Sequence, residues 1–256
     1  MNSPRPLSEL FYRRVVNRIA AEARKLGVDA MLLLDAHNVV YACGFFHSPN
    51  ERPIGLLVTA GGVPTLFVPL LEKENAESNW VGDVQTYDEF PGVTNPVHWM
   101  VQEIGARRLA VDTLEARLFA STERLLEMLV LTDAVERLRV AKEPEELDLV
   151  RAASRYADLV LETILREGGP VIARGGTELD LLAIGLSAAQ HAMRAELDSA
   201  FSSTKCGLVG TVHSGPRAAL PHGKTMPRTP LAGEVLIAGI GASVGGYHAE
   251  SGATFS

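Results

Sequence analysis

Two long helix-forming stretches followed by glycine-studded strands constrain this chain more than any other feature. From Pro144 onward, Leu147, Val150, Ala157, Leu161 and Ile164 recur at helical spacing, which marks one buried stripe. Proline suits the first turn of a helix, where its missing N–H has no partner to lose. Gly168-Gly169-Pro170 predicts that this helix stops after Glu167. A second helix starts at Thr177, whose spacing to Asp180 has the form of a capping box. It carries Leu181, Ile184, Ala188 and His191. After residue 200 the texture changes to LVGTVHSG (208–215) and EVLIAGIGASVGGYHA (234–249). Helices first and strands after make an α+β layout.

The part before Pro144 alternates differently. Leu7, Leu10, Phe11, Val15, Ile19 and Ala23 predict an amphipathic helix over 7–26, stopped by Gly27. DAMLLL (29–34) and VVYACGF (39–45) predict two strands. IGLLVT (54–59) and PTLFVP (64–69), joined by AGGV, predict a hairpin. A helix over Leu71–Asn79, a strand at 108–112 and a helical pattern over 114–130 follow. The expected organisation is an α/β domain over 1–138 and an α+β domain over 139–256. Their boundary falls near Val140-Ala141-Lys142-Glu143-Pro144.

Composition excludes several functions. The 256 residues are 46% hydrophobic and 21% charged, which suits a globular chain rather than a disordered, collagenous or coiled-coil one. A net charge of −7 with no basic block argues against nucleic acid or a polybasic membrane anchor. No apolar run is long enough to span a membrane. MNSPRPLSEL has no apolar segment of the secretory kind, so the expected compartment is the cytoplasm. Cys43 and Cys206 lie far apart without CxxC spacing, which predicts two reduced thiols.

Chemistry-bearing residues gather near the C-terminal end. His213, His222 and His248 fall within 36 residues, and Glu250 lies two beyond His248. Residues two apart on a strand share a face. His248 and Glu250 can therefore present two ligands or an acid–base pair, or be ordinary strand residues. His37, His47 and His98 read as loop histidines. Gly239-Ile240-Gly241 with Gly245 mimics a dinucleotide fingerprint, but nothing helical follows. Gly245-Gly246 suits a hairpin turn that needs positive φ. Pro221-His222-Gly223 puts an imidazole on a stiff turn between strands, a place suited to hydrogen-bonding a substrate.

The stretch 214–250, SGPRAALPHGKTMPRTPLAGEVLIAGIGASVGGYHAE, resembles the core of the pita-bread hydrolases: methionine aminopeptidases, Xaa-Pro aminopeptidases, prolidases and creatinases. Their pattern there is approximately S-G-x-N-x-A-x-P-H, then D-x-G on a strand, then G-Y-x-x-D-x-T-R-T. Leu138 to Leu147 resembles the R-x-x-K-x-P-x-E-I opening of that domain, and Gly175-Gly176-Thr177-Glu178 its G-x-T-E helix start. Asn38-Val39-Val40-Tyr41, Gly44-Phe45 and Arg52-Pro53 resemble the creatinase-type N-terminal domain.

The resemblance implies a fold and an activity. The fold is a creatinase-like α/β domain plus the first half of a pita-bread α+β domain. The activity is hydrolysis of a C–N bond in a small peptide or amide. His222 would sit at the scissile group and Glu250 would act as ligand or acid–base residue, with His213, Arg52 and Tyr41 binding substrate. Tyr41 and Arg52 would reach a partner subunit's site; a strand-end tyrosine and a surface arginine are the plainer alternative. Most relatives hold two divalent ions (Mn, Co or Zn) with two Asp, one His and two Glu, and these activate a bridging water.

Here Gly239 stands where the first Asp is expected, Glu250 where the second is, and Ala253-Thr254 where Arg-Thr is. The remaining His and two Glu would follow Ser256. A two-metal site is therefore not expected in this chain. Creatinase-type metal-free chemistry would want Glu-Arg-Thr where Gly252-Ala253-Thr254 stands. The alternatives are a family member that keeps the fold as a non-catalytic binding protein, or a piece of a longer enzyme. A strand around 234–249 left with an open edge predicts a homodimer or poor solubility.

Overall fold

The computed structural model describes residues 4–88, 92–197, 199–220 and 222–256. Pro221 of the Pro-His-Gly turn lies outside them. The chain divides into two units, one of Leu7–Lys142 and one of Glu143–Ser256 with residues 4–6.

The first unit is built on a mixed six-stranded sheet. It opens with α1 (Glu9–Leu26), capped by Ser8 and ended by Gly27 at φ 70°. Strand β1 (Ala30–Leu33) follows, then α2 (Ala36–Cys43). The hairpin β2 (Gly55–Thr59) and β3 (Pro64–Pro69) forms where the sequence predicts it, with Leu56 opposite Leu66. Next come a 3-10 turn, α3 (Lys73–Glu77), β4 (Val84–Tyr87) and α4 (Pro96–Ile104). Strand β5 (Arg108–Val111), α5 (Ala116–Glu123), β6 (Met128–Leu131) and α6 (Ala134–Val140) complete it.

The strand order is β4-β3-β2-β1-β5-β6, with β1 antiparallel to β2 and parallel to β5. Phe11, Val15 and Ile19 of α1 pack with Met31, Leu33, Leu56 and Leu66 on one face. Leu32, Phe67, Met100 and Leu109 fill the other. Each of these large side chains contributes about 1.5–3 kcal/mol on burial.

Several elements depart from the sequence reading. Residues 39–45 were expected as a strand, yet 36–43 form α2. Asp35 caps its start, accepting from His37 N at 2.9 Å and Asn38 N at 3.1 Å. Gly44 ends it at φ 71°, and a Cβ there would lie 2.6 Å from the Tyr12 ring. The helix is buried nearly all round (Val39, Tyr41, Ala42, Cys43), so its apolar run carries no period that separates helix from strand. The helical pattern over 114–130 resolves into α5 and the edge strand β6. His37 and His98, expected in loops, lie in α2 and α4; His47 is in a loop.

The second unit stacks two helices on a three-stranded sheet. Helix α7 (Pro144–Ala173) runs through the predicted stop and holds Pro170 inside it. A proline one turn from the end removes a single hydrogen bond. Gly168 faces Leu181, whose methyl lies 3.2 Å from where a Cβ would be, so it serves helix contact rather than termination. Helix α8 (Glu178–Glu196) starts at the capping box of Thr177 and Asp180. The strands β7 (Gly207–Ser214), β8 (Leu236–Val244) and β9 (Tyr247–Phe255) are antiparallel in that order. Strand β8 is thus central, not an edge; β7 and β9 are the edges. Gly245 and Gly246 make the β8–β9 turn at φ 58° and 81°, the hairpin the sequence predicts. Among the described residues no helix is long and apolar enough to cross a membrane.

Candidate functional site

Alternation along the strands sorts the second unit's sheet into two faces. On β8, Leu236, Ala238, Ile240, Ala242 and Val244 are buried. On β9, the Tyr247 hydroxyl donates to Glu146 Oε1 at 2.7 Å and Ser251 Oγ to Asp158 Oδ1 at 2.5 Å, both on α7. That face belongs to the helices. The other face carries Val209, Thr211 and His213 from β7, Ile237, Gly239, Gly241 and Ser243 from β8, and His248, Glu250, Gly252 and Thr254 from β9. His248 and Glu250 do share a face, as their spacing predicts, and both are exposed.

Register fixes which of these residues meet. One row across the sheet is Thr211, Gly239, Gly252; the next is Val209, Gly241, Glu250; His213 lies in the row of Ile237 and Thr254. His213 and Glu250 are therefore four residues apart along the strands, about 13 Å at strand rise, and two strands apart, about 10 Å. The structure does not bring them together.

The Gly239 row has no carboxylate. A Cβ on Gly239 would meet only Thr211 Oγ1, at 3.7 Å, so packing does not forbid a side chain there. Among the described residues no three His, Cys, Asp or Glu converge. Glu250 shares its face with His248 but belongs to no group of three such side chains among the described residues. Among the described residues, those present do not fit a two-metal centre.

His213 and His222 belong to a different arrangement, which the sequence reading missed. Between β7 and β8 the chain makes a 3-10 turn (Gly215–Ala219) and a long loop. His213 is 3% exposed. Its Nδ1 lies 3.2 Å from the Arg217 carbonyl oxygen, and its ring lies against Gly223, where a Cβ would be 3.1 Å from Cγ and Nδ1. His222, one residue before Gly223, is exposed.

The loop is tied down by Glu178, the first residue of α8, which is fully buried. Its carboxylate accepts from Ser214 N and Ser214 Oγ, both at 2.8 Å. It also accepts from Met226 N at 2.9 Å and from Arg217 Nη1 at 2.9 and 2.7 Å. Arg228 bonds Ser214 Oγ and pairs with Glu234. Burial acts to raise the Glu178 carboxyl, but Arg217, Ser214 and Met226 outweigh it and hold the group below the usual glutamate range. Two signals were available: an arginine at the place where the family pattern has asparagine, and a glutamate opening a capped helix.

The predicted residues of the first unit are placed otherwise. Tyr41 is buried in α2; its hydroxyl accepts from Arg18 and donates to the Leu138 carbonyl oxygen at 3.4 Å. Residue 41 is thus helical rather than at a strand end. Arg52 lies in a loop, 3.3 Å from Glu51, and lines a cavity of about 410 Å³ with Tyr87, Asp88 and Asn95.

The first unit has its own buried acid. Asp112 accepts from Leu34 N at 2.8 Å, Thr113 N at 2.7 Å, Asp35 N at 3.2 Å and Asn38 Nδ2 at 2.9 Å. Burial pushes its carboxyl up, and these bonds offset that only in part. Cys43 is free and buried, which pushes its thiol up to about 12; Cys206 is free and exposed.

Known proteins share both units. Residues 16–141 match the Creatinase/Prolidase N-terminal domain, and residues 148–256 match Metallopeptidase family M24. A "Probable dipeptidase PepE" of Mycobacterium tuberculosis is 27% identical over 270 residues, covering all of this chain and 66% of the relative. A Xaa-Pro dipeptidase of Lactobacillus helveticus is 26% identical over 236 residues, covering 88% of this chain and 61% of the relative. The chain thus spans less than two thirds of these relatives' length. The crystal structure of dipeptidase PepE from Mycobacterium ulcerans superposes with a TM-score of 0.73 at 23% identity, covering 98% of this chain and 66% of that one. The prolidase of Pyrococcus horikoshii gives a TM-score of 0.73 at 20% identity, with 94% and 64% covered. With both of its units matched in order, the chain belongs to the pita-bread family, as a creatinase-type N-terminal domain joined to an M24 peptidase domain.

Proposed function

We propose that this chain supplies the histidine side of a hydrolase that cleaves a C–N bond in a small peptide of the Xaa-Pro dipeptide kind. The observation that carries the reading is His222, exposed on a loop anchored by a partly buried ion pair within the M24 domain. An imidazole so held can hydrogen-bond a scissile carbonyl or protonate a leaving nitrogen. Glu250, exposed on the same unit's open face, is the acid–base candidate. The relatives named as dipeptidases support the substrate class.

The test is hydrolysis of a Xaa-Pro dipeptide panel, with and without Mn, Co or Zn. His222→Ala is expected to abolish turnover while leaving the fold intact by circular dichroism. Unchanged turnover removes His222 from the reaction. The carboxylate-free Gly239 row favours a second reading, a binding protein that keeps the fold without the chemistry. Calorimetric binding of the dipeptides with no turnover under any metal would decide for it.

A further inference from the structure

We infer that Glu178 is a positioning residue that sets the orientation and tautomer of His213 and the placement of the loop bearing His222. The inference rests on the reading of that loop as the substrate side of the site. A buried ion pair is weak evidence of a stability role, because apolar replacements are often neutral. What distinguishes Glu178 is where its donors come from. Ser214, Arg217 and Met226 all lie in one stretch, 214–226. That stretch covers His213 and contains His222. In return the Glu178 N–H donates to the Arg228 carbonyl at 2.9 Å, so the same residue grips the loop at both ends.

Arg217 carries the effect to the imidazole. Its guanidinium bonds Glu178 through Nη1 and the Lys224 carbonyl through Nη2. Its own carbonyl faces His213 Nδ1. A carbonyl oxygen only accepts, so Nδ1 must donate, which places the neutral ring's proton on Nδ1 and leaves Nε2 as the basic nitrogen. Gly223, pressed on the ring face, fixes its tilt and the backbone beside His222. One carboxylate on α8 therefore decides which nitrogen of His213 can take a proton.

The test uses the full chain with 15N-labelled histidine and long-range 15N–1H spectra, with amide exchange across 215–226. Wild type is expected to show His213 protonated on Nδ1 alone. Glu178→Gln and Arg217→Met are expected to give mixed tautomers and about ten-fold faster loop exchange, while α7 amides stay protected. A merely structural residue would alter stability without moving the tautomer. If Glu178→Gln fails to fold, Arg217→Met decides alone. Wild-type His213 protonated on Nε2, or an Arg217→Met protein with unchanged tautomer and loop exchange, overturns the inference. Absence of peptidase activity would leave these spectra untouched, so the two readings fail separately.

Discussion

Two buried carboxylates, Asp112 in the first unit and Glu178 in the second, are treated in opposite ways. Asp112 is surrounded by uncharged donors: three backbone N–H groups and the Asn38 amide. Burial then prevails, and its carboxyl is pushed up. Glu178 has comparable hydrogen bonds plus the Arg217 guanidinium, and its carboxyl is held down. The two surroundings differ in one respect: a guanidinium joins the donors around the carboxylate that is held down. The neutralisable acid closes a structural turn after β1 and β5. The ionised one anchors the loop that carries the candidate chemistry.

The largest expected effect is from truncation. Glu178→Ala leaves the partly exposed Arg217 and three further donors without their acceptor and should cost about 3 kcal/mol. Asp112→Ala orphans only neutral donors and should cost about 1–3 kcal/mol. Urea unfolding resolves the pair, because Trp80 and Trp99 both lie in the first unit and report it alone, while far-UV circular dichroism reports both. Equal costs would erase the contrast.

Arg217→Met converts one environment into the other. Without the guanidinium, burial should raise the Glu178 carboxyl above its ordinary value of about 4.3, read by 13C carboxyl titration. Acidification separates the units more gently. Glu178, depressed when folded, contributes stability that is complete above about pH 4.3 and is lost as pH falls through its lower folded value. Asp112, raised when folded, works in reverse: the first unit gains stability as pH falls through the raised value, down to about 3.9. Amide exchange corrected for pH should therefore loosen 214–226 in acid and not the turn at 34–38. The smallest effect is expected at His248→Ala, exposed on β9, which should shift stability by less than about 0.5 kcal/mol.

Much of the fold was legible because patterning and caps agreed. Thr177 with Asp180, Gly27 after α1 and Gly245-Gly246 each named their turn in advance. Residues 39–45 differ from the strand expectation because a helix buried over most of its circumference shows little period. The helix continues past the expected stop at Gly168–Pro170, where Gly168 answers a neighbouring helix. At the site, alternation put His248 and Glu250 on one face, but register, which single-strand patterning does not contain, separates Glu250 from His213. Glu178 escaped notice because its partners lie 36 to 48 residues away, across a loop that no periodicity links to α8.

The contrast between the two acids is tested most directly by 13C NMR titration of the Asp and Glu carboxyls in the intact chain. Glu178 is expected to stay ionised below the ordinary glutamate range while Asp112 takes up its proton above the ordinary aspartate range. Both groups titrating at their ordinary values, or in the reverse order, would contradict the account.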